Sequence, residues 1–233
     1  MPDWRFHIGV AEDICEVLKI ENVELFVLGS LTPDVPWMSL EDAIMRGHRE
    51  KTHYAVSDKG QHIDVPRVEA FLVEHSKDVA ISEFWQGYLS HIILDRNVNT
   101  TWRAIEHEVG FNRFQIPSSL SNVPVDIGHV AKLKWNDTDN YARYKYGHVM
   151  SEQWKSDEHW KEPCEVWQDC FNVSPFECMG GIHSIAGTLD KDPEMVVRRV
   201  MPLSVYDAIV YQTIRECEFT INRLKELHYR GLL

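Results

Sequence analysis

The stretch GYLSHIILDR, residues 87–96, decides how the chain is expected to fold. It lies within an apolar-periodic run that has no proline between Asp78 and Ile116, and this periodicity predicts a long buried helix. On such a helix His91 and Asp95 are four residues apart and share one face. Because isolated buried charge is costly, the pair predicts either a shared divalent cation or a hydrogen-bonded pair in the core.

Histidine–carboxylate pairs at this spacing do not indicate a metal by themselves. The chain has 12 histidines and 36 acidic residues among 233, which gives about two His-x-x-x-Asp/Glu pairs by chance. Two such pairs occur, His91/Asp95 and His148/Glu152. Only the residues around a pair can therefore raise its significance.

The composition is that of a globular protein with an acidic surface. Hydrophobic residues make up 44% of the chain, charged residues 26%, and the formal net charge is −12. Such a surface repels phosphate backbones, so we expect no nonspecific nucleic-acid binding, whereas a small phosphorylated substrate could bind at a local cation. We predict one α-helical domain over residues 1–233, and the sequence does not specify an oligomeric state.

We expect neither a secretory signal nor a membrane span. The N-terminal residues lack a charged region followed by an apolar one, and no apolar run approaches the length of about 18 residues that a span requires. The five cysteines, an odd number without C-x-x-C spacing, indicate reduced thiols in a cytoplasmic protein. A thiolate metal site at Cys164, Cys170 and Cys178 near His183 is the alternative.

Two residues that precede His91 and Asp95 in the chain allow either a structural or a metal-binding interpretation. His7 belongs to the apolar stripe of a helix predicted over residues 4–19, so it points inward as either a core histidine or a metal ligand. Asp34 lies between Pro33 and Pro36, where a carboxylate is either part of a turn or a ligand held with little loss of entropy.

The remaining helices are predicted from periodicity and from their end signals. One begins at Pro66 and runs to about Ser76, and a second begins near Asp78 and ends near Asn97 or continues to Val109. The last helix keeps the 3.6-residue period from Leu203 almost to the C-terminus.

The middle of the chain offers a second histidine–carboxylate pair. A helix predicted over residues 137–162 places His148 and Glu152 on one face with Tyr141 and Tyr144. This face is either an aromatic core stripe with an exposed pair at its edge or part of a ligand site. Residues 112–137 are predicted to form a long loop, which is typical of a lid or binding loop.

Four pieces of the sequence resemble the zinc-dependent phospholipase C family, which is related to the S1/P1 nucleases. They are HIGVAEDI (residues 7–14), LGSLTPDVPW (28–37), KTHY (51–54) and GYLSHIILDR (87–96). Their order and spacing are most similar to the short intracellular bacterial members of that family, and the similarity covers residues 4–96. The resemblance implies an all-α, multi-helix single domain with the phospholipase C/P1 nuclease fold.

The resemblance also implies a set of metal ligands. Asp34, His53, His91 and Asp95 would hold one zinc ion, and Asp95 would bridge to a second that it shares with His7. A further zinc in the family is bound by a histidine soon after the positions of His91 and Asp95 and then by a His-x-x-x-Glu pair. His148 and Glu152 are the candidates for that second pair. Residues 96–101 contain no such histidine, and Trp4 is internal, whereas the family uses an N-terminal tryptophan as a ligand. We therefore predict one or two zinc ions rather than three, with other divalent transition metals as alternatives.

The chemistry implied is metal-dependent hydrolysis of a phosphodiester or phosphomonoester. A metal-bound water would be the nucleophile, with its pKa lowered from about 15.7 to near 7, and Asp34 would orient or deprotonate it. A helical module that binds a metal or ligand without catalysis is the main alternative. The α-helical HD-type phosphohydrolases are disfavoured, because the chain contains no His-Asp dipeptide.

Overall fold

The computed structural model describes residues 4–34, 52–56, 65–108 and 201–233, together with eight single positions between 141 and 174. The elements of these residues are α1 (Trp4–Leu18), α2 (Val23–Leu31), a 3-10 helix (Thr32–Asp34), β1 (Ala55–Val56), β2 (Val65–Pro66), α3 (Val68–Ile81), α4 (Glu83–Glu108) and α5 (Leu203–Tyr229). The two short strands pair antiparallel. The described part is predominantly helical, which confirms the all-α class.

The turn between α1 and α2 has a left-handed residue where it begins and side-chain hydrogen bonds where it ends. Lys19 ends α1 with a φ of 54°, and the Asn22 side chain accepts a hydrogen bond from the Leu25 backbone N–H at the start of α2. The carboxylate of Glu83, in the first turn of α4, accepts hydrogen bonds from the backbone N–H groups of Glu21 and Asn22 at 3.0 Å each. The start of α4 therefore holds the start of α2.

Helices α2 and α4 cross with their backbones in contact. A Cβ atom added at Gly29 would lie 2.0 Å from the carbonyl oxygen of Phe84, and one added at Gly87 would lie 1.8 Å from that of Phe26. Only glycine allows this approach, since even a methyl group would overlap the facing backbone. The crossing brings the end of α2 beside the middle of α4.

The boundary between α3 and α4 differs from its prediction. The sequence indicated a helix ending near Ser76 and another starting near Asp78, but α3 continues to Ile81 and the break falls at Ser82, whose backbone is extended. The Ser82 carbonyl accepts the first hydrogen bond of α4, from the Gln86 N–H at 3.0 Å. Neither proline nor glycine marks this break, so periodicity placed it several residues too early.

Helix α5 packs against α1, α3 and α4 and shares one hydrophobic core with them. Polar contacts join it to α4, where the Asn97 amide donates to the Thr213 hydroxyl and Arg96 pairs with Glu216. The bounds of α1 and α5 agree closely with their predictions. Among the described residues, no helix combines the length and apolar character that crossing a bilayer requires.

Candidate metal centre

Five ionisable side chains meet in the interior, each brought there by a defined element. His7 comes from α1, Asp34 from the 3-10 helix, His53 from the segment 52–56, and His91 and Asp95 from α4. The most exposed of the five is Asp34, at 3%. Three imidazoles and two carboxylates thus share a site from which solvent is excluded.

The potential ligand atoms of these residues converge. His53 Nε2 lies 3.1 Å from Asp34 Oδ1, and His7 Nε2 lies 3.6 Å from Asp95 Oδ1. His91 Nε2 is 3.9 Å from both Asp34 Oδ1 and Asp95 Oδ2. Two ligands at 2.0–2.1 Å from a tetrahedral ion are about 3.4 Å apart. The observed separations bracket that value.

The orientation of His91 is set by α2. Its Nδ1–H donates to the Ser30 carbonyl oxygen at 2.7 Å, and because a carbonyl only accepts, the lone pair of the neutral ring must reside on Nε2. This lone pair faces the carboxylates of Asp34 and Asp95. A hydrogen bond from the far nitrogen of a ligating histidine to a backbone carbonyl is the usual way in which proteins orient metal ligands.

His53 is held by the residue that precedes it. The Thr52 hydroxyl lies 2.9 Å from His53 Nδ1, where it can accept the ring proton and leave Nε2 to ligate, or donate in the opposite sense. The Thr52 carbonyl in turn accepts a 2.6 Å hydrogen bond from the Tyr88 hydroxyl of α4.

Several buried polar atoms at the site lack a hydrogen-bond partner among the described residues. They are both ring nitrogens of His7, Nε2 of His91 and both carboxylate oxygens of Asp95. Leaving a buried charged group without a partner costs at least about 1–3 kcal/mol, and native structures rarely do so. A divalent cation would satisfy these atoms together and offset the two carboxylate charges.

The electrostatics keep the candidate ligands in the protonation states that metal binding requires. Burial alone would raise the pKa of the Asp34 carboxyl, but the imidazoles of His91, His53 and His7 lower it to about 2. Burial, reinforced by His7, lowers the pKa of His91 to about 3 against the opposing effect of the carboxylates. Against burial, His7 and His91 hold the pKa of Asp95 well below its usual range. At neutral pH the centre thus presents ionised carboxylates and a neutral His91.

The geometry of the rings separates the site into two halves. The His7 and His91 rings stack with centroids 3.9 Å apart and planes 6° from parallel, whereas His53 lies edge-on to His91. Two sets of three ligand atoms each fit within 4.8 Å, one comprising His7, His91 and Asp95 and the other Asp34, His53 and His91. An imidazole lone pair lies in the ring plane, so two parallel stacked rings cannot both direct theirs at one ion.

The structure brings together five of the seven residues that the sequence analysis named as metal ligands. His7, Asp34, His53, His91 and Asp95 form two overlapping groups that share His91, and their role as ligands stays a prediction. The other two, His148 and Glu152, lie outside the described residues, as do Cys170, Cys178 and His183 of the alternative thiolate site. The described cysteines, Cys15, Cys164 and Cys217, are all buried.

Sequence reasoning missed the groups that support the ligands. The Ser30 carbonyl is a backbone atom and leaves no side-chain signal. Thr52, adjacent to His53 in KTHY, could have been found, because a hydroxyl next to a ligating histidine is a candidate partner for its second nitrogen. No family model, curated protein or solved structure matches the chain.

Proposed function

We propose that the protein is a metal-dependent hydrolase of phosphate esters, with zinc as the first candidate metal. The observation that carries the proposal is Asp95, a carboxylate with 0% exposure whose two oxygens face imidazole nitrogens and have no hydrogen-bond partner in the described part of the chain. A buried carboxylate in this state needs a cation. Histidine and carboxylate ligands together suit zinc, and also manganese, iron or nickel.

The arrangement favours two cations rather than one. His91 has a single available lone pair, because Nδ1 is bonded to Ser30, so it can serve only one ion. The parallel stacking of His7 on His91 supports binding of His7 to a second ion, because two parallel rings cannot both direct an in-plane lone pair at the same ion. Asp95 presents Oδ1 to His7 and Oδ2 to His91 and His53, as a bridging carboxylate would. One ion would then be held by Asp34, His53, His91 and Asp95, and the second by His7 and Asp95.

Many enzymes that hydrolyse phosphate esters use two metal ions in their active sites. When bound, they lower the pKa of a water molecule to near neutrality and stabilise charge on the phosphoryl oxygens. Asp34 is better suited to orient that water molecule than to deprotonate it, because a carboxylate whose pKa is about 2 is a weak base at neutral pH. The resemblance to zinc-dependent phospholipases C supports the same reaction class, with a small phosphorylated molecule as the substrate.

A helical module that binds a metal without catalysis is the second candidate. It is favoured by the burial of the centre, since the five residues are at most 3% exposed. Structural metal sites are typically closed, whereas catalytic sites keep a position open for water or substrate.

The test combines metal analysis with turnover. The purified protein is analysed for metal content and then assayed with bis(p-nitrophenyl) phosphate and p-nitrophenyl phosphate. We expect about two zinc ions per chain, and hydrolysis that is lost in Asp34→Asn. The matched control is Asp207→Asn, the same change at a half-exposed carboxylate on α5. Bound metal without turnover would favour the non-catalytic module, and wild-type protein that takes up no metal would exclude both functions.

A further inference from the structure

We propose that Tyr54 is a positioning residue, which holds His53 in the metal centre through hydrogen bonds to Glu74 and His75 on α3. Tyr54 directly follows His53 in the chain, so its backbone conformation sets where the imidazole points. The proposal rests on the proposed function in one respect, namely that His53 is a metal ligand.

The backbone of Tyr54 is in a conformation that a bulky residue rarely adopts. Its φ is +52°, in the left-handed region, where the Cβ atom of an L-residue crowds the neighbouring carbonyl oxygen. Lys19 is the other non-glycine residue with positive φ in the described part of the chain, but it ends a helix, where this conformation is common. Strained residues of this kind persist when their surroundings fix them, and they cluster at functional sites.

The surroundings of Tyr54 supply that constraint. Its hydroxyl donates to Glu74 Oε2 at 2.8 Å and lies 2.9 Å from His75 Nε2. Its ring packs edge-on against Phe71, with centroids 5.5 Å apart. Its carbonyl accepts from the Arg67 N–H at 3.2 Å, immediately before α3 begins. Side chain and backbone are thus both tied to one helix.

His75 is itself held rigidly. Its Nδ1 is 3.1 Å from Asp78 Oδ2, and its ring stacks on Trp85 with centroids 4.2 Å apart. The phenol has only one proton, which goes to the Glu74 carboxylate, so its oxygen accepts from His75 Nε2–H. Asp78 likewise accepts from Nδ1–H. Two of these hydrogen bonds end on a carboxylate, Glu74 or Asp78, and hydrogen bonds to ionised groups are stronger than neutral ones.

The other side of His53 is anchored to α4. The Tyr88 hydroxyl donates to the Thr52 carbonyl at 2.6 Å, one turn before His91 on the same helix. Residues 52 and 54 are therefore held by α4 and α3 respectively, and His53 lies between the two attachments. Removing the attachment to α3 would release Tyr54 from its strained φ and turn His53 away from Asp34.

The first experiment removes only the hydroxyl, in Tyr54→Phe. Zinc affinity is measured by competition with a chelator, and the visible spectrum of the cobalt-substituted protein reports the number of ligands. We expect affinity to fall about tenfold, the lower end of the range for groups that support metal ligands, and the cobalt bands to change. The control is Tyr211→Phe, the same change at a tyrosine of α5 that is 68% exposed, which keeps the wild-type affinity and spectrum.

A second set of variants changes Glu74, on the surface of α3. The Glu74 side chain is 62% exposed, so changing it does not threaten folding. We expect Glu74→Ala to weaken zinc binding and shift the cobalt spectrum, whereas Glu74→Gln, whose amide oxygen still accepts from the phenol, restores both. Wild-type affinity and spectra in Tyr54→Phe and Glu74→Ala would overturn the role of Tyr54 alone. A wild-type protein that binds neither zinc nor cobalt would overturn the proposed function as well.

Discussion

Asp95 and Asp78 are the same type of residue in very different environments. Asp78 is partly exposed and accepts a hydrogen bond from His75 at 3.1 Å. Asp95 is fully buried, and its nearest described basic nitrogen is His7 Nε2, at 3.6 Å. That distance exceeds a hydrogen bond, and it fits two atoms bound to a common ion. Burial combined with these separations, rather than residue type, identifies Asp95 as a candidate ligand.

We expect Asp95→Asn to lower the metal content by about one ion per chain. A carboxylate can bind two cations through its two oxygens, whereas an amide offers one oxygen and no charge. Metal content is measured by elemental analysis after gel filtration, with Asp207→Asn as the control for loss of a carboxylate elsewhere. Two ions retained in Asp95→Asn would contradict a bridging role.

We expect the metal-free protein to lose stability on mild acidification because of His91. Its pKa is lowered from 6.5 to about 3 in the folded state, so between those values the unfolded chain binds a proton that the folded chain does not. Each pH unit below 6.5 then lowers the free energy of unfolding by about 1.4 kcal/mol from this group. Asp34 adds little above about pH 5, because with a pKa of 3.8 in the unfolded chain and about 2 in the folded protein it is ionised in both states there.

Urea unfolding in the presence of a chelator, between about pH 4.5 and 6.5, measures this dependence. His91→Gln removes the titrating group, so its free energy of unfolding should vary with pH less steeply by about 1.4 kcal/mol per unit. Equal slopes for the two proteins would show that His91 is protonated in the folded metal-free state.

At the level of elements, the crossing of α2 and α4 sets the geometry of the centre. Gly29 lies five residues before Asp34, and Gly87 lies four residues before His91. Asp34 and His91 therefore each lie within about one or two helical turns of the point where the backbones of α2 and α4 are in contact. The hydrogen bond from His91 to Ser30 depends on the same contact.

We expect Gly87→Ala to destabilise the protein by about 3 kcal/mol or more, a cost typical of overpacking against an immobile group. The new methyl group would overlap the Phe26 carbonyl, and relieving this overlap must move α4 away from α2. The matched control is Gly231→Ala, where no atom lies within 4 Å of the added methyl group and only the φ of +66° is unfavourable. That control should cost about 1 kcal/mol in urea unfolding. Equal costs at the two positions would contradict contact between the helices.

Periodicity predicted the long helices well and the short elements poorly. α1 and α5 have clear apolar stripes, so their bounds could be read from the sequence. α2 is apolar on nearly every side, and a short apolar run does not distinguish helix from strand. The break at Ser82 carries no proline or glycine, and it depends on the carbonyl hydrogen bond that starts α4.

The candidate site was predictable only in part. Helical spacing alone joins His91 to Asp95, whereas His53 was connected to Asp34, nineteen residues before it, by the family resemblance. The unpartnered oxygens of Asp95, the stacked rings and the Ser30 carbonyl depend on tertiary contacts that no local pattern encodes.

For the whole molecule, the centre works as a cross-link between segments distant in sequence. Its side chains come from α1, the 3-10 helix, the segment 52–56 and α4, and α5 packs against both α1 and α4. A cation bound here would hold four segments together. Metal binding here would therefore be coupled to the stability of the fold.

We expect added zinc to raise the stability of the metal-free protein by about 2.7 kcal/mol at a free concentration one hundred times the dissociation constant. For a chain of 233 residues this corresponds to an increase of about 5–10 °C in the midpoint of thermal unfolding. Differential scanning fluorimetry across a series of buffered zinc concentrations measures the shift. His91→Ala should show almost none, and a full shift in that variant would place the cation elsewhere.

The position of the ligands along the chain has a consequence for synthesis of the protein. All five described candidate ligands lie at or before Asp95, so they are synthesised before residues 96–233. α5, which completes the core around α1 and α4, emerges last. If the centre binds zinc, the nascent chain would present these imidazoles and carboxylates to the ion before α5 has been synthesised, and the ion could be captured during translation.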